Sequence, residues 1–285
     1  MKSSTELLES AKSGDRRSLA RLLTLIEEGE DIDLPSVNPW TLGVTGPPGV
    51  GKSTLIGRFV SHWKDSGEKV AVLAVDPSSP RSGGALLADR MRMESTDSGD
   101  SVYFRSLATR GHRGGVSYLL WPMIDLLSLC GWSRIVIETV GSGQAETRVI
   151  AFADRVMMVD GPDRGDIIQA EKAGIIELAD IIAINKSDKP GASRAAESIR
   201  ASLDLVSGDS VPEVHLLSAQ NSIGIEGLVS AIEKCSSPAW RNRLRMTERL
   251  ISIWDSRLIL SKGLDEALDD LETGSITLDE ALDRL

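Results

Sequence analysis

The segment that most narrows what this chain can become is Gly46-Pro47-Pro48-Gly49-Val50-Gly51-Lys52-Ser53. It follows a short apolar run at residues 41–45 and leads into a helix-like stretch opening with Thr54-Leu55-Ile56. The spacing G-x-x-x-x-G-K-[ST] between a strand and a helix is that of a phosphate-binding loop. Glycines at Gly46, Gly49 and Gly51 let the backbone curl, so that N–H groups along the loop to Val50 and Thr54 converge on an anion. The helix that follows adds the positive end of its dipole. Lys52 is placed to reach the β- and γ-phosphates of a nucleotide, and the Ser53 hydroxyl to ligate Mg²⁺.

Around this loop, short apolar runs alternate with amphipathic stretches. The strand candidates are residues 41–45, 70–75, 102–105, 134–138, 155–159, 181–185 and 213–217. The helix candidates between them are 55–64, 116–129, 165–178, 193–206 and 224–235. Such alternation predicts an α/β P-loop NTPase fold, a mostly parallel sheet covered by helices on both faces. Ligands of such sheets bind at the carboxyl ends of the strands.

Both flanks read as helical. Leu7, Leu8, Ala11, Leu19, Leu22, Leu23 and Ile26 recur at helical spacing, punctuated by Gly14 and Gly29. After Pro238 the strands stop, and Trp240, Leu244, Thr247, Leu250, Ile251, Trp254, Leu258 and Ile259 form a stripe up to Gly263. Two shorter helices are expected around Gly274. The predicted organisation is an N-terminal helical extension at 1–38, a P-loop domain at 39–237 and a C-terminal helical arm at 238–285. A stripe this apolar either packs on the core domain or forms a subunit interface.

Composition excludes several classes. The two cysteines, Cys130 and Cys235, are far apart, which removes a disulfide framework and a Cys-rich zinc site. A net charge of −10, from 42 acidic and 32 basic residues, argues against bulk binding to nucleic acid or anionic membrane. No apolar run approaches the ~18 residues of a membrane-spanning helix. Residues 1–6 lead into a charged segment rather than an apolar leader. A soluble, cytoplasmic protein is the expectation.

The base is read from a second motif. Residues 180–184 end in Asn185-Lys186-Ser187-Asp188, the N-K-x-D pattern of guanine-specific P-loop proteins. A carboxylate at Asp188 can accept both the N1–H and the 2-amino proton of guanine, neither of which adenine offers. Lys186 can lay its apolar stem across the base, and Asn185 is expected to brace this loop against the phosphate loop. The next strand ends in Leu217-Ser218-Ala219-Gln220, which resembles the S-A-x backbone contact to the guanine oxygen in GTPases. GTP is therefore expected over ATP.

Three carboxylates are candidates for the metal and catalytic region: Asp76 after residues 70–75, Asp89 in a glycine-bearing segment, and Glu138 after residues 134–137. A nucleotide-bound Mg²⁺ takes one or two protein carboxylates, directly or through water, beside Ser53. Gly141 is positioned to sense the γ-phosphate through its N–H, and Gln144 to orient the attacking water. Plainer roles exist for each acid: a turn cap, a surface charge and a strand-end ion pair, in that order. The basic segment 105–115 could meet phosphate or a partner, and the three isolated histidines do not form a general-base site.

Together these motifs resemble the MeaB/ArgK family of GTPases, chaperones of adenosylcobalamin-dependent acyl-CoA mutases. The resemblance is carried by Gly46–Thr54, Val75-Asp76-Pro77-Ser78-Ser79-Pro80, Asp89-Arg90-Met91-Arg92-Met93, Glu138-Thr139-Val140-Gly141-Ser142-Gly143-Gln144 and Asp180–Asp188. The E-T-V-G-x-G-Q segment, where most GTPases have D-x-x-G, is the most discriminating piece. The resemblance implies the SIMIBI class of P-loop folds and a homodimer built through terminal helices. It also implies Lys52 and Ser53 on phosphate and Mg²⁺, Asp76, Asp89 and Glu138 as switch and metal acids, and Asn185, Lys186 and Asp188 on guanine.

This chain departs from the family pattern at Arg81-Ser82, in the 105–115 loop and at residues 159–164, places that bear on the client rather than on nucleotide chemistry. The expected function is thus a Mg²⁺-dependent GTP hydrolase that gates cobalamin loading of an acyl-CoA mutase, the adenosylcobalamin belonging to the mutase. Two alternatives are a nickel metallochaperone, for which scattered histidines supply no metal site, and a transport-system kinase or ATPase, against which the guanine motif argues.

Overall fold

A computed structural model describes residues 3–35, 37–76, 100–108, 119–139, 152–162, 176, 179–204, 211–235, 239–259 and 261–285. Seven strands form one sheet: β1 (Thr41–Thr45), β2 (Val70–Asp76), β3 (Val102–Ala108), β4 (Arg134–Thr139), β5 (Arg155–Asp160), β6 (Ile181–Ile184) and β7 (Glu213–Leu216). Every ladder is parallel and the spatial order is β3-β2-β4-β1-β5-β6-β7. The chain moves to one side of β1 for β2 to β4 and to the other for β5 to β7. The crevice of an open α/β sheet opens where that direction changes, so the loop leaving β1 stands at the switch point.

The central strands are largely apolar and buried because both faces of the sheet are covered there. Alternation along them sorts the side chains. Ile135, Ile137 and Leu73 face a cluster with Leu22, Leu23, Ile26 and Leu126. Val136, Val72 and Val44 face the opposite cluster, with Leu55, Phe59 and Trp63. The first face is covered by α2 (Arg16–Glu27) and α4 (Leu120–Leu129), the second by α3 (Lys52–Asp65) and α6 (Ile225–Lys234). Helix α5 (Ala192–Leu203) packs a smaller cluster with Met158, Ile182 and Ile184.

The sequence reading and the structure differ at several ends. β2 and β3 run on to Asp76 and Ala108, held in a continuous register from Val70↔Val102 to Asp76↔Ala108. Polar Arg105 and Ser106 are tolerated because β3 is an edge strand, and Arg105 pairs with Glu27 of α2. β6 stops at Ile184, where Asn185 turns its side chain to other loops. Helix α3 begins at Lys52 because Gly51, at φ 95°, supplies its left-handed cap. Of the expected helix at 165–178, only Ile176 falls among the described residues, and it is helical.

At the N-terminus, α1 (Ser4–Lys12) starts with a reciprocal cap between Ser3 and Glu6. Its neighbour α2 sends Leu19, Leu22, Leu23 and Ile26 into the cluster beneath the sheet. At the C-terminus, α7 (Ala239–Ile259) is followed by α8 (Leu264–Thr273) and α9 (Leu278–Arg284). The stripe on α7 divides: Leu244 packs against the core, whereas Leu250 and Trp254 are 69% and 67% exposed. The first turns of α7 are tied down by ion pairs, Arg241 with Asp180 and Arg245 with Asp154, the latter at 2.6 Å. Among the described residues, no helix is long and apolar enough to cross a membrane.

Candidate nucleotide-binding site

Close packing fixes the phosphate-loop backbone. Gly46 has φ 136°, and a Cβ there would lie 2.0 Å from the Val159 carbonyl oxygen, so no side chain fits. At Gly51 a Cβ would stand 2.5 Å from Asn185 Nδ2. Lys52 is buried, and its Nζ donates to the Gly46 and Pro47 carbonyls at 2.7 and 3.0 Å. The ammonium thus sits within the curl of the loop. Ser53 Oγ donates to Glu138 Oε1 at 2.8 Å across to the end of β4. That contact joins a hydroxyl and a buried carboxylate beside Lys52, a hard-oxygen donor set of the kind Mg²⁺ takes.

The second half of the site is a hydrogen-bonded brace. Asn185 Nδ2 donates to the Val50 carbonyl at 2.9 Å, and Asn185 Oδ1 accepts the Ala219 N–H at 2.9 Å. One side chain therefore links the phosphate loop to the loop after β7. Lys186 adopts φ 61°, a left-handed conformation that a non-glycine residue rarely takes, where the chain turns away from β6. Ser218 Oγ donates to Asp188 Oδ1 at 2.6 Å. That hydrogen bond, then one from the Asp188 backbone and the neighbouring Lys189 and Lys186 charges, hold the exposed Asp188 carboxyl below the usual carboxylate range, and it stays an acceptor.

Gly51, Thr54, Asn185, Lys186, Asp188, Ser218 and Ala219 line one cavity of about 270 Å³, joined by Lys189 and Gln220. The structure brings these together at the carboxyl ends of β1, β6 and β7. Asp76 closes β2, though its side chain lies outside what is described. Asp89, Gly141, Gln144 and the 109–115 part of the basic loop also lie outside the described residues. Gly49 has φ 79°, which the turn at that point requires.

One contributor escapes the motif reading altogether. Arg58, on α3, donates from Nε to the Ala219 carbonyl at 2.7 Å and from Nη2 to the Gln220 carbonyl at 2.9 Å. Nothing in the sequence marks it, because carbonyl acceptors carry no residue-type signature.

The family profile described as methylmalonyl-CoA mutase-associated GTPase MeaB matches residues 7–251. The chain belongs to the MeaB family. A candidate GTPase of Pyrococcus abyssi is 43% identical over 210 residues, covering 71% of this chain and 65% of that protein. The chain thus spans somewhat less than two thirds of that relative's length. A fused isobutyryl-CoA mutase of Nocardia farcinica is 35% identical over 208 residues, 69% of this chain and 19% of the mutase. Among solved structures, that of an LAO/AO transport system kinase superposes with a TM-score of 0.66 at 23% identity, covering 99% of this chain and 95% of that one. That likeness supports the P-loop fold of this MeaB-family chain.

Proposed function

We propose that this MeaB-family protein binds GTP with Mg²⁺, hydrolyses it to GDP and phosphate, and uses the cycle to gate cofactor loading and protection of an adenosylcobalamin-dependent acyl-CoA mutase. The observation that carries the nucleotide reading is the Asn185 brace, which ties an N-K-x-D loop to a phosphate loop and to Ala219. Asp188, kept ionised, accepts the N1–H and 2-amino protons of guanine, and Lys186 covers the base. Lys52 and the loop N–H groups hold the β- and γ-phosphates, and the α3 N-terminus adds its dipole. Ser53, with Glu138 beside it, would hold Mg²⁺, and Asp76 and Asp89 complete the acidic set. The chemistry Mg²⁺ would supply there is neutralisation of the negative charge on the transferring phosphate. Gly141 senses the γ-phosphate and Gln144 orients the attacking water in this reading. Most of the rate comes from positioning and charge stabilisation, so intrinsic turnover is slow.

The mutase partner rests on the family and on the relative in which a homologous segment is fused to isobutyryl-CoA mutase. Adenosylcobalamin would belong to that partner, in the cytoplasm. A homodimer through α7 is supported by Leu250, Ile251 and Trp254, all exposed on a helix whose base is anchored. The test pairs two readouts on the full chain. GTP but not ATP should be turned over, with loss on chelating Mg²⁺. A non-hydrolysable GTP analogue should retain an acyl-CoA mutase subunit from native extract. ATP turnover at the GTP rate would overturn the nucleotide reading, and repeated recovery of other clients without a mutase would overturn the biological one. Trp254→Asp should convert a dimer to a monomer in light scattering while leaving GDP affinity unchanged; a monomeric parent protein would dismiss the dimer.

A further inference from the structure

We infer that Arg58 is a positioning residue for base recognition, holding the Ala219–Gln220 backbone where an amide N–H can read the 6-oxo group of guanine. The inference rests on the guanine reading above. Arg58 is half-buried on α3 and is not among the residues lining the base cavity. It acts on that cavity through two successive carbonyls, Ala219 at 2.7 Å and Gln220 at 2.9 Å. The loop they belong to is pinned elsewhere too. Ser218 and Ile223 exchange backbone hydrogen bonds at 3.1 and 3.0 Å, and the Ala219 N–H reaches Asn185 Oδ1 at 2.9 Å.

The chemistry suits arginine best. A planar guanidinium offers several N–H donors in a rigid fork, so it can fix two adjacent peptide planes together. A lysine ammonium is a compact point charge on a flexible stem and would hold such a pair less firmly. Because α3 also begins with Lys52 and Ser53, Arg58 ties the loop that meets the base to the helix that meets the phosphates. The base-reading amides are thereby kept in register with the phosphate end of the nucleotide.

The experiment measures equilibrium binding of three diphosphates to the full chain and to Arg58→Ala and Arg58→Lys. GDP carries the 6-oxo, N1–H and 2-amino groups. Inosine diphosphate keeps the 6-oxo group, and 2-aminopurine riboside diphosphate lacks it. Arg58→Ala should weaken GDP and inosine diphosphate about tenfold each, the scale of one charge-assisted hydrogen bond. It should leave the 2-aminopurine compound within about twofold, since that ligand has no oxygen for the loop to read. Arg58→Lys should fall between. Equal losses for all three ligands would mean a general structural role and would overturn the inference, as would no loss for GDP. If the unmodified chain bound GDP no more tightly than ADP, the guanine reading itself would fall, a result visible before any variant is compared.

Discussion

At the scale of single residues, the proposed guanine reading makes the Ser218 hydroxyl and the Asp188 carboxylate the pair that sets its acid limit. The hydroxyl donates to the carboxylate at 2.6 Å, and this is the first cause of the carboxyl's lowered pKa. A group with a depressed pKa keeps its ionised role until pH falls through that lowered value. Ser218→Ala should therefore move the Asp188 titration back up towards the ordinary carboxylate range. The loss of GDP affinity on acidification should then begin at a higher pH than in the parent. Carbon NMR of the Asp188 carboxyl checks the first, and an unchanged titration would remove Ser218 as the cause. The sequence singled out residues of this kind because a phosphate loop and an N-K-x-D loop each place particular side chains at fixed spacing, and the structure shows them hydrogen-bonded within or between those loops and the end of β4. Lys52, Ser53, Asn185 and Asp188 are examples. Arg58 was not legible, since it acts on carbonyls that any residue supplies.

At the scale of elements, the central strands were legible as apolar runs, because a parallel sheet covered on both faces leaves no polar face to interrupt them. Their ends were less so. Pairing continued β3 past Arg105, whose charge found Glu27 on a helix far away in the chain. The attachment of α7 was hidden for a related reason. Its stripe predicted apolar contacts, whereas the helix is anchored by two arginines. Arg241 is 1% exposed and pairs with Asp180, which also accepts the Val156 N–H at 2.8 Å. Removing one partner of a buried pair strands the other charge, at a cost of about 3–5 kcal/mol. Arg241→Ala should lower unfolding stability by about that much in a urea titration. Arg243→Ala, at an exposed position of the same helix outside the apolar stripe, should cost little. An Arg241→Ala loss within about 0.5 kcal/mol, the scale of an ordinary surface substitution, would contradict the anchoring role.

At the scale of the whole molecule, the two ends of the sheet carry different tasks. Asp154 and Asp180, which hold α7, precede β5 and β6, while Asp160 and Asn185 stand where those strands finish. The exposed half of α7 is thus rooted at the end of the sheet opposite the nucleotide loops. Three loops that are distant in sequence meet at those carboxyl ends: the phosphate loop, the Asn185–Asp188 loop and the Ser218–Gln220 loop. Their convergence follows from the switch in strand order at β1. On the proposed reading, these three loops form a single site for a guanine nucleotide. The most direct measurement is calorimetric binding of GDP and xanthosine diphosphate to the full chain and to Asp188→Asn. Xanthine presents a 2-oxo group where guanine presents a 2-amino group, so an amide can donate to it where a carboxylate cannot. Asp188→Asn should lose GDP affinity and gain xanthosine diphosphate affinity. GDP affinity unaffected by the substitution would contradict that reading.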